Sequence, residues 1–210
     1  MNSEYIDNLP ERIRKEISLQ SYQSGDIIIE QGTTPNSVYL INSGLVKAFN
    51  INSRGQEFLF EVFGTGEYFG EMEFFTESDY LAYIKCMTDC EVYRMSYGTF
   101  NEILKNDHKL FVNLAKFMGS RMLKITERFV ESSYYPLEFL FSKFLLKMSE
   151  GSEPNLIIRT RDELSNYFGT NVRSINRVIK KLAESGAIKA NRDRLEIVSE
   201  EKLRSILDLY

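Results

Sequence analysis

The hydrophobic and polar positions of the chain change their period near residue 99. Over residues 20–97, short apolar runs alternate with polar residues at a period of two, and glycine, asparagine and serine separate the runs. This alternation gives each strand one buried face, as in Phe58, Phe60 and Val62. The spacing predicts a compact antiparallel sandwich or jelly roll, preceded by a short amphipathic helix over residues 8–18.

A helical period follows from residue 99. A short helix near residues 100–104 leads into a long helix, roughly residues 110–133, whose apolar residues recur three or four positions apart. They are Leu110, Leu114, Phe117, Met118, Met122, Ile125 and Phe129, with Leu123 on a second side. Two apolar stripes need two packing partners, and we expect the β-rich domain on one side and the same helix of a second chain on the other. The alternative is that both stripes pack within one chain.

Pro136 ends the long helix because proline lacks the backbone donor that a helix interior needs, and residues 137–148 resume as an apolar helix. Residues 134–136 are therefore the expected hinge. A polar loop at residues 149–155 precedes a predicted strand at 156–158, and later strands at 187–190 and 195–198 form a predicted hairpin. Ser199 is the expected N-cap of a final helix over residues 200–209.

Residues 160–188 have the pattern of a helix-turn-helix unit. Leu164 and Phe168 share one face of a short helix, Gly169 ends it, and a second helix carries an apolar stripe at Ile175, Val178, Ile179 and Leu182. Gly169 permits a backbone conformation that a side chain would resist, and the small Ser165 allows the two helices to cross closely. An ordinary helical hairpin has the same apolar spacing, so the distribution of charge has to distinguish the two.

Basic and acidic residues are unevenly distributed along the chain. Residues 154–197 contain nine Lys and Arg against five Asp and Glu, a net charge of +4, whereas the whole chain carries −4 and the remainder therefore −8. A basic segment on an acidic body suits local binding of phosphate and favours the DNA-binding interpretation. We expect the second helix and the hairpin tip to contact DNA through Asn171, Val172, Arg173, Ser174, Asn176, Arg177, Lys180 and Arg192.

Composition argues against several other classes. The 210 residues are 43% hydrophobic and 27% charged, and no signal peptide or membrane-length apolar stretch occurs, so we expect a cytoplasmic protein without membrane partners. Cys86 and Cys90 are predicted to be reduced, buried thiols. With His108 as the only histidine, we expect no metal site, no haem and no cupin-type enzyme. No catalytic triad or phosphate-binding glycine motif is found, so no catalytic residues and no cofactor are predicted.

The order of these segments resembles the Crp/Fnr superfamily of bacterial transcription regulators. The matching segments are SGDIIIEQG with VYLINSGLVKAF, YFGEMEFF followed by TDCEVYRMS, and TRDELSNYFG with SINRVIKKLAESGAI. The resemblance covers nearly the whole chain and implies an α+β fold: an N-terminal antiparallel β-roll (jelly roll) over residues 1–107, a dimerisation helix and hinge over 108–135, and a winged helix-turn-helix domain over 136–210. It also implies a homodimer that binds a palindromic promoter site and contacts RNA polymerase.

The chain departs from the members of this family that bind cyclic AMP. Those members follow the turn found here at Phe69, Gly70 and Glu71 with an arginine and a serine or threonine that hold the cyclic phosphate, but Tyr80 and Leu81 occupy these positions here. A phosphodiester without a cation or hydroxyl partner would be poorly solvated, so cyclic AMP is not the expected effector. The pocket, bound to another molecule or filled by its own side chains, would be bordered by Phe60, Gly70, Glu71, Met72, Tyr80, Tyr83, Ile125 and Thr126.

The recognition helix departs from the family as well. Family members often place a glutamate four residues before an arginine, whereas here Arg173 takes the glutamate position and Arg177 keeps the arginine. Glutamate accepts from cytosine and arginine donates to guanine, so we expect an operator unlike the common half-site. The alternative function is a regulatory or interaction module with a cyclic-nucleotide-binding-like domain that does not bind DNA. The sequence leaves open the target genes and whether the protein activates or represses them.

Overall fold

The computed structural model describes residues 3–53, 55, 57–149, 156–158, 160–191 and 194–210. The chain divides into two compact units, Met1–Ser120 and Arg121–Tyr210. Strands dominate the first unit and helices the second, so the α+β fold predicted from the sequence is confirmed. No helix in the described part of the chain is both long and apolar enough to cross a membrane.

The first unit is built on two four-stranded antiparallel sheets. Its strands are β1 (Ser18–Tyr22), β2 (Ile27–Ile29), β3 (Ser37–Ser43), β4 (Val46–Ile51), β5 (Glu57–Phe63), β6 (Tyr68–Phe69), β7 (Tyr83–Cys86) and β8 (Cys90–Ser96). One sheet has the order β1-β8-β3-β6 and the other β2-β7-β4-β5. The helices of this unit are α1 (Ser3–Asp7), α2 (Glu11–Arg14), α3 (Glu71–Thr76) and α4 (Tyr97–Asn106).

The core of the β-roll follows from strand alternation. Ile41, Val46, Phe63 and Val92 are almost completely buried in one apolar cluster that includes residues of both sheets. Removing such side chains from water is the main stabilising contribution to a domain of this size. Cys86 lies in the same cluster, and burial raises the pKa of its thiol to about 12. Cys86 and Cys90 are both buried free thiols, as the sequence predicts.

Two local predictions for the first unit are wrong. The helix expected over residues 8–18 is only α2, because Pro10 lies just before it in an extended conformation and β1 begins pairing with β8 at Ser18. Within the expected β region, residues after Gly70 form α3 instead of a strand. The alternating Glu and apolar residues of this segment look like a strand, but Glu71 and Glu73 are both buried on the short helix.

The long helix α5 (His108–Tyr134) contributes to both units. The carboxylate of Asp107 accepts a hydrogen bond from the Leu110 amide at 2.9 Å and so satisfies a free donor at the helix start. Leu110 and Leu114 are buried in the first unit. Beyond residue 120, α5 belongs to the second unit, and its apolar side chains are largely exposed, including 72% of Met122, 53% of Ile125 and 70% of Phe129.

The second unit continues after Pro136 with helices around a small sheet. Its further elements are α6 (Leu137–Ser149), β9 (Leu156–Ile158), α7 (Arg161–Phe168), α8 (Val172–Glu184), β10 (Ile188–Ala190), β11 (Arg194–Ile197) and α9 (Glu200–Leu207). The sheet is antiparallel with the order β10-β11-β9. One core cluster joins α6, α7, α8, α9 and the sheet through the fully buried residues Phe141, Leu145, Leu164, Ile175, Leu182, Leu195 and Leu203.

Candidate nucleic-acid interface

The first helix of the helix-turn-helix unit has both of its ends fixed. At the start of α7, the Thr160 hydroxyl accepts from the Glu163 amide at 3.1 Å, and the Glu163 carboxylate accepts from the Thr160 amide at 2.8 Å. This reciprocal capping box satisfies two donors that the helix leaves free. Threonine three residues before glutamate is the sequence signature of this motif, and it was not among the features predicted for this segment.

The turn between α7 and α8 depends on Gly169. Its φ of 60° lies in the left-handed region, and the chain after it bonds back to α7 through the Thr170 amide and the Ser165 carbonyl at 3.0 Å. Asn171 then begins α8, because its side-chain oxygen accepts from the Ser174 amide at 2.9 Å. Asn171 is therefore a helix cap, and the residue is exposed.

The second helix separates an apolar face from a basic one. Ile175, Val178, Ile179 and Leu182 are buried in the core of the unit. The positions between them point outward, and Arg173, Asn176, Arg177 and Lys180 are exposed, whereas Val172 and Ser174 are half-buried. Residues three or four apart share a helix face, so these side chains form one surface along α8 from its first turn to Lys180. The structure thus brings seven of the eight expected DNA contacts together, and Arg192 lies outside the described residues.

Two contacts near the C-terminal end of α8 attach this helix to α6 and α9. The Lys181 ammonium contacts the Glu138 carboxylate of α6 at 2.5 Å, and this hydrogen bond raises the pKa of Lys181. The Lys202 ammonium of α9 donates to the Ser185 carbonyl, which follows the last turn of α8, at 2.8 Å. A cation at this end is favourable because the C-terminus of a helix carries partial negative charge.

The hairpin beside α8 is attached to α7 by a hydrogen bond. The Arg161 guanidinium donates to the Asn191 carbonyl at 2.8 Å, and the Asn191 amide donates to the Arg194 carbonyl at 2.9 Å. Lys189 and Arg194 are exposed on the two strands of the hairpin. In the sequence, Arg161 is only one of the basic residues of this segment, since periodicity gives no information on a partner 30 residues away.

The expected effector pocket contains buried side chains of the first unit. Gly70 has a φ of 79°, and a Cβ at this position would lie 2.9 Å from the Ser37 carbonyl oxygen. The Tyr80 hydroxyl donates to the same carbonyl at 3.1 Å, and only 8% of Tyr80 is exposed. Burial raises the pKa of the Tyr80 phenol. Glu71 is almost fully buried next to Gly70, and Glu73, which was not among the expected pocket residues, is a second buried carboxyl group.

The other expected pocket residues are more dispersed. The Tyr83 ring stacks on Phe49 with a centroid distance of 5.4 Å, and the Phe60 ring lies edge-on to Phe58 at 5.3 Å. Met72 is exposed, and Ile125 and Thr126 are exposed residues of the second unit. In the first unit, the structure therefore groups Gly70, Glu71 and Tyr80 and leaves Met72 at the surface.

Comparisons with known proteins agree with this arrangement. Residues 19–107 match the cyclic nucleotide-binding domain, and residues 142–206 match the Crp-like helix-turn-helix domain. The chain is 24% identical over 179 residues to the cAMP-activated global transcriptional regulator Vfr of Pseudomonas aeruginosa, covering 80% of this chain and 83% of Vfr. It is 27% identical over 177 residues to the cyclic AMP receptor protein of Thermus thermophilus, covering 84% and 82%.

A solved structure shows the same fold. The c-di-GMP responsive global regulator CLP of Xanthomonas campestris matches with a TM-score of 0.78 and 21% identity over 90% of this chain and 97% of CLP. The β-roll, the long helix and the helix-turn-helix unit define a two-domain DNA-binding transcription regulator. The chain belongs to the Crp/Fnr family, as its sequence segments predict.

Proposed function

We propose that this regulator acts as a homodimer that reads a palindromic DNA site with two copies of α8. The exposed basic face of α8 is the observation that carries the proposal, because Arg173, Arg177 and Lys180 project from a helix whose other face is buried. Guanidinium groups on such a helix suit guanine edges in the major groove, and ammonium groups suit phosphate.

An exposed apolar stripe on α5, here called the seam, supports the homodimer. Met118, Met122, Ile125 and Phe129 are spaced four, three and four residues apart, which is the repeat of a coiled coil. Three of these side chains are more than half exposed in the single chain. Each large apolar side chain that becomes buried contributes about 1.5–3 kcal/mol, so pairing two copies of this seam is favourable.

Individual roles follow from the chemistry of each side chain. Arg177 and Arg173 would donate to guanine, Val172 would contact a thymine methyl group, and Asn176 would reach adenine or phosphate. Ser174 and Lys180 would bind phosphate. The proposed phosphate contacts also include Asn171 beside the first turn and Arg192 at the hairpin tip.

We further propose that cyclic AMP is not the effector and that the protein needs no cofactor and catalyses no reaction. By the family resemblance, Tyr80 and Leu81 take the positions at which cyclic-AMP-binding members hold the phosphate with a cation and a hydroxyl. The packing of Tyr80 near the Gly70 turn supports the proposal. As a regulator of this family, the protein would contact RNA polymerase at promoters in the cytoplasm. In an isothermal titration, 1 mM cyclic AMP should give no saturable heat, and the same titration of the Thermus thermophilus receptor is the positive control.

Selection from a random duplex pool with purified, ligand-free protein tests the proposed function. Enrichment of a palindrome whose half-sites lie about one helical turn apart is the expected result. Light scattering on the same sample should give the mass of two chains. If the folded dimer enriches no sequence, even with cell extract added, the protein is the alternative, a regulatory module that does not read DNA.

A further inference from the structure

In the second unit, α5 contacts the first helix of the helix-turn-helix, α7, at a point away from the basic face of α8. The Arg128 guanidinium donates to the Tyr167 carbonyl oxygen at 2.9 Å, and its central carbon lies 5.1 Å from the centroid of the Tyr167 ring. Tyr167 is the penultimate residue of α7, and only Phe168 separates it from the turn at Gly169. Arg128 therefore links the exposed seam of α5 to the turn that directs α8.

Helix chemistry explains why an arginine lies here. The last carbonyl groups of α7 have no partners within the helix, and the turn satisfies Ser165 and Asn166 through the amides of Thr170 and Gly169. The Tyr167 carbonyl receives the Arg128 guanidinium instead. The cation faces the negative end of α7, and its planar fork can bind a carbonyl and stack on a ring at once, which a lysine cannot do.

Neighbouring contacts brace the same junction. The Lys143 ammonium of α6 contacts the Glu131 carboxylate of α5 at 2.5 Å. Across the bend at Pro136, the Tyr135 and Phe139 rings stack with a centroid distance of 4.1 Å and an interplanar angle of 12°. The Tyr167 ring also packs on Phe144 of α6 at 4.9 Å. The C-terminal part of α5, α6 and the end of α7 are thus joined at several points around Arg128.

We propose that Arg128 is a positioning residue for DNA reading, which fixes the direction of α8 relative to α5. The inference rests on the proposed homodimer: if two α5 helices pair, the junction at Arg128 sets the distance and rotation between the two α8 helices. It acts through α7, so its effect should depend on the spacing of the two half-sites and be weak on a single half-site.

The test compares Arg128→Ala with Arg128→Lys and with Lys124→Ala, which removes a positive charge one turn earlier on the same helix. Binding is measured on the selected palindrome, on versions with spacers longer or shorter by 1 or 2 base pairs, and on a duplex with one half-site. We expect Arg128→Ala to lose about tenfold in affinity for the selected spacing, from the loss of a charge-assisted bond at a helix end. Its affinity for one half-site should stay within about twofold, and its preference among spacers should flatten.

Arg128→Lys should recover part of the spacer preference, and Lys124→Ala should keep all of it. An equal loss on every duplex, including the single half-site, would assign Arg128 a structural or general electrostatic role and overturn the proposal, as would an unchanged preference in Arg128→Ala. Tyr167→Leu is a second variant that removes the ring but keeps the carbonyl, and it should flatten the preference by a smaller factor. A monomeric wild-type protein in light scattering would overturn the proposed homodimer and this inference together, whereas a dimer with insensitive Arg128 variants would overturn only the inference.

Discussion

Arg177 and Lys180 lie on the same exposed face of α8, but their side chains suit different parts of DNA. A guanidinium can donate two parallel hydrogen bonds to a guanine edge, whereas an ammonium acts as a point charge towards phosphate. The Lys180 ammonium also lies 3.7 Å from the Glu184 carboxylate, an exposed pair that is compatible with exchange for phosphate. We therefore expect Arg177 to read a base and Lys180 to bind phosphate.

The first prediction concerns this separation. Arg177→Ala should cost about 1–3 kcal/mol of binding free energy on the selected operator and relax the preference at one base pair of each half-site. Lys180→Ala should weaken binding to operator and random DNA by similar factors, because phosphate carries no sequence information. Fluorescence anisotropy with both duplexes measures the two ratios. If both variants changed the affinities for operator and random DNA by the same factors, the assignment of α8 as the recognition helix would be wrong.

The sequence predicts which residues face outward but not which partners they meet. The period of α8 was sufficient to place Arg173, Asn176 and Arg177 on one surface, since helix geometry fixes relative direction within an element. The contacts of Arg161 with Asn191 and of Arg128 with Tyr167 span 30 and 39 residues. Such pairs depend on how elements pack, and no local pattern encodes them.

At the scale of elements, two features of α5 lead to predictions: the cap at its first turn, which affects stability, and its exposed seam, which affects dimerisation. Asp107 accepts hydrogen bonds from the Leu110 amide and from the Tyr5 hydroxyl, the latter at 2.8 Å. These bonds, the Leu110 amide foremost, hold the pKa of Asp107 below its ordinary value of 3.8. The ionised form is therefore favoured in the folded state, and this contribution to stability is present above pH 3.8 and lost as the pH falls through the lowered pKa.

The second prediction follows from this cap. Asp107→Ala should lower the free energy of unfolding at pH 7 by about 1 kcal/mol, the usual cost of removing a helix cap. The difference from the wild type should shrink as the pH falls below 3.8, where the carboxylate becomes protonated. Urea unfolding followed by circular dichroism at several pH values measures it. Asp107→Asn keeps an acceptor without the charge, so it should retain part of the stability at pH 7, and its smaller difference from the wild type should also shrink at low pH. A pH-independent loss in Asp107→Ala would argue against the charged cap.

The third prediction concerns the seam. Phe129→Glu should convert the dimer into monomers, because burying two carboxylates in an apolar seam without partners is costly. Analytical ultracentrifugation measures the mass, and the affinity for the palindrome should fall in parallel. Lys124→Glu places a carboxylate on the same helix away from the seam and should leave the dimer intact. If the Phe129→Glu variant were still a dimer, the dimer interface would have to lie elsewhere on the protein.

Elements differed in how well they could be predicted. Long periodic segments such as α5 and α8 were correctly assigned, because many residues repeat one signal. The segment after Gly70 was assigned as a strand, since six residues at mixed spacing support either structure, and the left-handed Gly70 that starts α3 is visible only in the fold. The helix expected over residues 8–18 failed because strand pairing from Ser18 outweighed local propensity.

For the whole molecule, charge is divided between the two units. Residues 1–120 contain 10 Lys and Arg against 17 Asp and Glu, whereas residues 121–210 contain 16 against 13. An acidic first unit repels a polyanion, so productive contact with DNA should be limited to the second unit. This partition, predicted from sequence, needs no knowledge of how the two units are placed.

The last prediction concerns the salt dependence of DNA binding, which reports how many phosphates the basic residues of each unit contact. The logarithm of the DNA binding constant should fall linearly with the logarithm of salt concentration, with a slope of about −0.9 for each phosphate neutralised. Lys189→Ala removes an exposed ammonium from the hairpin of each subunit, so the slope should become shallower by about 1–2 for a dimer. Lys105→Ala removes an exposed ammonium from α4 of the first unit and should leave the slope unchanged. Equal changes in the two variants would place phosphate contacts on the acidic unit as well, and the basic surface around α8 would then be only part of the DNA-binding face.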